Sequence, residues 1–443
     1  MHFFGYKGRS FYAEGVPVEK IARECGTPVY IYSHKTLKRH YNAYDGAFSS
    51  VPHLICYSVK ANSNIAVLRT FAGEGSGFDI VSGGELYRAL KAGADPKRIV
   101  YSGVGKREDE IGYALKSGIL MFNVESPEEL RAIDAIAGRL RKKAGVAIRV
   151  NPDVDPGTHP YISTGLKKNK FGIETGQAVK EYIYARDNLR NIDLMGIDCH
   201  IGSQITEIGP FTDALRKTKE LLSTLRSEGV DIRYMDMGGG LGITYDTEEP
   251  PHPSRYGEAV IEATKGLGVT LIFEPGRSVA GNAGVLVTKV LYTKKGSAKN
   301  FIIVDAAMND LARPSLYGAY HAIKPVRNGT GSMEEGEEEA ADVVGPICES
   351  GDFLARDRML PKVKAGDLLA VMSAGAYGFT MSSNYNSRPR AAEVMAKGRE
   401  FFVIRKRETV EGLLRGEAFI EKAGRKPAPK KRAAAKKKAA LKK

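Results

Sequence analysis

Leu54-Ile55-Cys56-Tyr57-Ser58-Val59-Lys60-Ala61-Asn62-Ser63-Asn64 is an apolar run that ends on a lysine and a polar turn. Its first residues read as a short buried strand, and Asn62-Ser63-Asn64 marks the turn at its exit. A lysine at a strand's exit is held by the sheet yet reaches into a cleft. Its amine serves covalent chemistry when burial or nearby positive charge lowers its pKa, so that it condenses with a carbonyl. Alone, such a lysine equally reads as a core-strand residue snorkelling to water. The rest of the chain decides between the two.

Seven more β-like runs follow, at 78–82, 99–102, 121–124, 146–151, 194–200, 234–237 and 270–273. Between them lie amphipathic, helix-length segments such as Glu85-Leu86-Tyr87-Arg88-Ala89-Leu90. Eight strands alternating with helices over roughly 240 residues predict a (β/α)8 barrel of the TIM type, with a doubly wound open sheet as the alternative. In such barrels the chemistry collects at the C-terminal ends of the strands. Lys60, Asp79 with Ser82-Gly83-Gly84-Glu85, Asn151, His200, Gly238-Gly239-Gly240 and Glu274-Pro275-Gly276-Arg277 all fall at such ends. So many coincidences predict one shared site.

After about residue 282 strand-like runs continue without long helices, which predicts a second, mainly β domain of sandwich or barrel type. The division expected is an α/β barrel over 35–281, a mainly β domain from 1–34 and 282–421, and a tail over 422–443. An acidic, glycine-bearing loop is expected over 329–339. The tail holds eleven Lys or Arg and no acid, so residues 1–421 carry only +3 of the chain's +14. It is low-complexity Lys/Ala/Pro and is expected to be disordered. The tail is expected to make at most weak, salt-sensitive polyanion contacts, and specific nucleic-acid binding is not expected. No stretch reads as a membrane span, and the four cysteines match no zinc spacing, so the default is a reduced, cytoplasmic protein with no metal.

The strand-end residues define a chemistry. Gly238-Gly239-Gly240 after a strand brings backbone N–H groups onto a phosphate, or else simply marks a tight turn. Ser203 offers a hydroxyl to the same anion, and His200 stacks on a planar ring or is a structural histidine. An ionised Glu274 beside a pyridine nitrogen favours the pyridinium, which makes the ring an electron sink. Arg277 takes a carboxylate in a fork geometry, or pairs with Glu274. In the second domain Arg313 and Tyr317, the turn Cys348-Glu349-Ser350-Gly351-Asp352, and Ala376-Tyr377-Gly378 add two further carboxylate binders and a thiol in a polar setting. Cys25, Cys56 and Cys199 read as inert. This inventory suits pyridoxal 5'-phosphate chemistry on an amino acid.

On these motifs, from about residue 4 to 420, the chain resembles the fold-type III pyridoxal-phosphate decarboxylases, and within them the diaminopimelate branch. The resemblance implies that Lys60 is the Schiff-base lysine, that His200 stacks on the ring, and that Gly238, Gly239, Gly240 and Ser203 hold the phosphate. It implies that Glu274 meets the ring nitrogen, with Asp79, Pro275, Gly276, Arg277 and Tyr377 also at the cofactor. Arg277, Arg313, Tyr317, Glu349 and Tyr377 would bind a small amino-acid substrate, meso-2,6-diaminopimelate, and Cys348 would return a proton after CO2 leaves, giving L-lysine in the last step of lysine biosynthesis. Members are usually homodimers whose Cys-Glu turn completes the neighbour's site. Residues 159–165 with Asn169-Lys170-Phe171-Gly172 would form a loop over it. The alternatives are an ornithine- or arginine-type decarboxylase, a catalytically silent regulatory relative, and a nucleic-acid binder acting through its tail.

Overall fold

The computed structural model describes residues 2–155, 169–327 and 338–420. Residues 159–165, most of the acidic 329–339 stretch and the basic tail lie outside the described residues. The eight expected runs form eight parallel strands, His53–Ser58, Gly77–Ile80, Ile99–Tyr101, Met121–Val124, Ala144–Asn151, Ile192–Asp198, Tyr234–Asp236 and Thr270–Phe273. Each pairs with the next, and Thr270–Phe273 pairs back onto His53–Ser58, so the barrel closes and the open-sheet alternative falls. A two-residue strand, Ile173–Glu174, adds to the side of Ala144–Asn151.

Closure follows from the two-residue alternation of side chains along each strand. In the first strand Ile55 and Tyr57 point outward into the core beneath the helices. Leu54 and Cys56 point inward and meet Val100, Met121, Ala147 and Ile272, which plug the barrel's lower interior. Continuing the same alternation brings Ser58, Asp79, Ser102, Asn123, Arg149, Asp198, Asp236 and Glu274 into one buried polar layer above that plug. Polar caps fix where the neighbouring helices start. Ser82 Oγ accepts from the Glu85 N–H at 3.2 Å, and Ser126 Oγ accepts from the Glu129 N–H at 3.2 Å.

The second domain is built on the long strand Gly284–Lys295, which pairs antiparallel with Asn300–Val304, with Leu368–Val371 and with the N-terminal strand Val29–Ser33. Val29–Ser33 also runs parallel to Ala392–Lys397 and so lies inside the sheet. Its alternation serves two cores. Val29 and Ile31 join Val285, Val287, Ala370 and Val394 under the small sheet of Phe4–Lys7, Ser10–Ala13 and Val16–Pro17. Tyr30 and Tyr32 face the large core shared with the barrel.

The two domains meet at the turn that carries Lys60. The Asn62 side-chain amide donates to the Gly375 carbonyl at 3.0 Å, and the Tyr377 N–H donates to the Ala61 carbonyl at 2.8 Å. Buried Glu393 accepts from the Tyr32 hydroxyl at 2.8 Å and from the Asn64 amide at 2.8 Å, and it also takes Arg405. The lysine turn is thus gripped from above by the β domain.

Candidate active site

Lys60 lies on a single helical turn, Val59–Ala61, just past the end of its strand. Its Nζ contacts the Asp79 carboxylate and stands 3.2 Å from Ser58 Oγ. The Ser58 hydroxyl lies 2.8 Å from Asp79 Oδ2 and 2.9 Å from the Glu274 carbonyl, so it locks both strand ends together. A lowered pKa, the condition under which a lysine amine serves covalent chemistry, is not what the surroundings give the free lysine. Burial pushes the amine down, but the carboxylates of Asp79 and Glu274 outweigh it and hold its pKa above the ordinary lysine range.

Glu274 is buried, and its Oε1 accepts from Ser102 Oγ at 3.0 Å and from the Asn123 amide at 3.2 Å. The same amide reaches Asp236 Oδ2 at 3.1 Å. Burial and then the charges of Asp236 and Asp79 push the Glu274 carboxyl well up; Lys60 and Arg149 oppose them. Burial and then Asp198 likewise push Asp236 up to about 8. This concentration of buried acid favours any cation brought beside Glu274, a protonated ring nitrogen included. Arg277 makes no ion pair with Glu274 among the described residues, which removes the local-pair alternative for that turn.

His200 lies flat against the glycine turn. A Cβ at Gly238 would fall 2.6 Å from its Nδ1, and that nitrogen accepts from the Gly239 N–H at 3.2 Å. Burial, then Arg149 and Lys60, push the imidazole well below its ordinary pKa, so the ring is neutral. Gly239 and Gly240 admit no larger residue: a Cβ would meet the Glu274 carbonyl at 2.4 Å and the Gly202 carbonyl at 2.8 Å, respectively. Two of the three glycine N–H groups are already engaged, Gly238 with Asp236 Oδ1 at 2.9 Å and Gly239 with His200. An anion at this turn would therefore draw on Gly240 and on Gly276 and Arg277, which open the short helical turn Arg277–Ala280. Pro275 accepts the Ser58 N–H at 3.0 Å, and Gly276 packs against Ala61 and the Tyr377 hydroxyl. An amine, a buried carboxylate, a flat neutral imidazole and a backbone cradle too tight for a Cβ together fit pyridoxal 5'-phosphate.

Beside this lies a second concavity of about 160 Å³, lined by Gln204, Tyr245, Glu248, Arg277, Arg313 and Tyr317. Both guanidiniums are buried; neither forms an ion pair with a carboxylate among the described residues, although Glu248 lines the same concavity and lies within electrostatic reach of Arg313. Arg277 Nε and Nη2 donate to Ser203 Oγ at 3.3 and 3.1 Å, and its guanidinium lies 4.9 Å from the Tyr377 ring. Tyr377 itself has φ 55°, a left-handed conformation that costs a bulky residue energy and that the Ala61 contact holds in place.

Cys348 and Glu349 are not brought into this group. They sit on an exposed turn between Glu338–Val344 and Phe353–Pro361, where the Cys348 N–H donates to Asn386 Oδ1 at 2.8 Å. The other thiols are poor nucleophiles: burial pushes Cys199 up to about 12 and Cys56 well above its usual range, and partial burial raises Cys25. Among the described residues no cluster of three or more His, Cys, Asp or Glu is placed to hold a metal ion, and no helix is long and apolar enough to cross a membrane. Sequence reasoning missed Ser102, Asn123 and Asp236, although the inward alternation of their strands marks them, and Asp198, whose strand shifts register between Leu194 and Gly196. It also missed Tyr245 and His321, which lie outside any strand or helix and carry no such mark.

Residues 34–281 match the pyridoxal binding domain of the pyridoxal-dependent decarboxylases. The chain is 52% identical over 422 residues, 95% of its length and 100% of the relative's, to a diaminopimelate decarboxylase of Vibrio cholerae. It is 51% identical over 421 residues, again 95% and 100%, to that of Pseudomonas aeruginosa. Among solved structures it superimposes on the Helicobacter pylori diaminopimelate decarboxylase complexed with L-lysine, with a TM-score of 0.85, 44% identity and 90% and 98% of the two chains covered. By this similarity and by the site it carries, the chain belongs to the pyridoxal-dependent decarboxylases, in their diaminopimelate decarboxylase family.

Proposed function

We propose that this protein removes CO2 from meso-diaminopimelate and releases L-lysine, using pyridoxal 5'-phosphate. The observation that carries this reading is the pair of buried guanidiniums, Arg277 and Arg313, that line one concavity without an ion-pair partner among the described residues. Two cations face the single carboxylate of Glu248 in that concavity, and the excess positive charge suits a substrate that brings a carboxylate at its far end. The names of the relatives, and the L-lysine held by the Helicobacter pylori neighbour, agree with it. When bound, the cofactor supplies the electron sink that makes loss of CO2 from an amino acid feasible.

In this reading Lys60 would bind the cofactor covalently, Glu274, backed by Ser102 and Asn123, would favour protonation of its ring nitrogen, and His200 would pack against the ring. Ser203, Gly240, Gly276 and Arg277 would hold the phosphate, with Gly238 and Gly239 shaping the turn beneath it, while Asp79 and Pro275 brace the strand ends. Arg277, Arg313, Tyr317 and Tyr377 take the substrate's distal end. Cys348 and Glu349 are exposed in one chain, which suits a homodimer in which each turn enters the neighbour's site. Cys348 of the partner subunit then gives its Sγ proton to the substrate's Cα. We place the enzyme in the cytoplasm and divide it into a barrel over 35–281, a β domain of 1–34 and 282–421, and a tail with a polyanion-binding capacity.

The test is CO2 release from purified protein with added pyridoxal 5'-phosphate, side by side on meso-diaminopimelate, ornithine and arginine. Release from meso-diaminopimelate alone, with lysine as product, is expected. Release only from ornithine or arginine would move the substrate, and release from none would overturn the activity.

A further inference from the structure

The distal concavity is built around two residues that do not belong to the expected set, Tyr245 and His321. A guanidinium has five N–H donors. In Arg277, Nε and Nη2 point to Ser203, and Nη1 donates to the Tyr245 hydroxyl at 2.7 Å. One N–H is left on each terminal nitrogen, the pair a carboxylate takes in a fork. Arg313 is held differently. Its Nη1 lies 2.9 Å from His321 Nε2, and its Nε–H is buried without a hydrogen-bond partner.

The protonation of His321 follows from its contacts. Its Nδ1 lies 2.8 Å from the Met372 carbonyl, which only accepts, so Nδ1 carries the proton and Nε2 is left as a lone pair for Arg313. The imidazole is fully buried. Burial, then the charge of Arg313, pushes its pKa down to about 3, so it remains an acceptor through the physiological range.

Tyr245 stands beside both arginines. The Arg313 guanidinium lies 4.5 Å from its ring centroid and that of Arg277 5.7 Å, and the ring meets His321 edge-on at 5.3 Å and 76°. Two like charges buried together repel; an aromatic ring beside both offsets part of that cost. One arginine comes from the end of the last barrel strand and the other from the second domain, so the spacing between them depends on what lies between.

We infer that Tyr245 and His321 are positioning residues that hold the two guanidiniums apart and aimed, so that the pocket selects a ligand bearing an amino-acid carboxylate over the same diamine without one. The inference rests on the distal-carboxylate reading of the proposed function and adds the residues that enforce it.

The experiment measures calorimetric affinities of the holoenzyme for L-lysine and for 1,5-diaminopentane, which is lysine without its carboxylate. Wild type is compared with Tyr245→Phe, His321→Leu and His321→Gln. Wild type is expected to prefer lysine. Tyr245→Phe and His321→Leu are expected to cut that preference about tenfold, the scale of one hydrogen bond to a charged group, with the cofactor absorbance retained. His321→Gln, whose amide oxygen still accepts from Arg313, is expected to recover part of it. An unchanged preference in Tyr245→Phe and His321→Leu would overturn the inference, and so would an equal loss of both ligands, the mark of a merely structural role. A wild type with no preference would overturn the distal-carboxylate reading itself, and the inference with it.

Discussion

Lys60 and Cys348 divide the proposed chemistry between a buried strand end and an exposed turn, and their variants should separate cleanly. Lys60→Ala should lose the visible absorbance of covalently held cofactor along with CO2 release. Cys348→Ala should keep the absorbance while kcat falls by roughly 10²- to 10⁴-fold, the range of a lost proton donor. Absorbance spectra and a CO2 assay on the same preparations check both. Lys60, Asp79, His200, Gly238 to Gly240 and Glu274 were legible as candidates because each sits at a barrel strand's end in a short polar or glycine motif. Asn123 and Asp236 were legible in principle, since each continues an inward alternation from Met121 or Tyr234; Asp198 was not, because a register shift between Leu194 and Gly196 breaks the alternation in its strand. Tyr245 and His321 were not, because what they do depends on contacts between segments that no local pattern relates. The pKa of Lys60 was not legible for a similar reason: the carboxylates that raise it come from two other strands.

The element scale turns on Glu393, on strand Ala392–Lys397. Its carboxylate takes Tyr32 from the N-terminal strand, Asn64 from the cap of the helix after Lys60, and Arg405 from the neighbouring strand. Glu393→Ala would leave a buried hydroxyl, a buried amide and a guanidinium without their acceptor. A loss of about 3–5 kcal/mol in unfolding free energy is expected, read from urea denaturation. Asp310 makes a second, opposite case. It is buried, its Oδ1 has no hydrogen-bond partner, and burial pushes its pKa from 3.8 up to about 7 against the Ala307 N–H and the charges of Arg388 and Arg407. Between these values the folded state keeps a proton that the unfolded chain releases. Stability from this group is therefore full below about pH 4 and lost as pH rises through 7. Asp310→Asn should flatten the fall in urea midpoint between pH 5 and pH 8. The barrel strands were legible one by one from apolar runs and their spacing. The pairing of Val29–Ser33 was not, because its partners lie at the far end of the chain.

For the whole molecule, the proposed dimer makes a quantitative demand. Inactive Lys60→Ala and Cys348→Ala proteins, dissociated and reassociated together, should regain about a quarter of wild-type CO2 release: about half of randomly formed dimers are mixed, and one of the two sites in each is then intact. Recovery near zero would place the thiol in the same subunit as the lysine. A closed barrel with a β domain was legible from the rhythm of strands and helices. What the rhythm could not show is that the domains are interlocked through the lysine turn, by Asn62 on Gly375 and Tyr377 on Ala61.

The position of Val29–Ser33 between Gly284–Lys295 and Ala392–Lys397 also bears on how the chain is made. On the ribosome this strand emerges ahead of the barrel strands, and the barrel can close before either of its neighbours exists. Until the C-terminal strands arrive it presents two bare edges of Val, Tyr and Ile, a template for mispairing. Nascent chains halted before Gly284 should therefore hold a folded barrel preceded by an adhesive segment, and chaperone capture should end only once Ala392–Lys397 has been made.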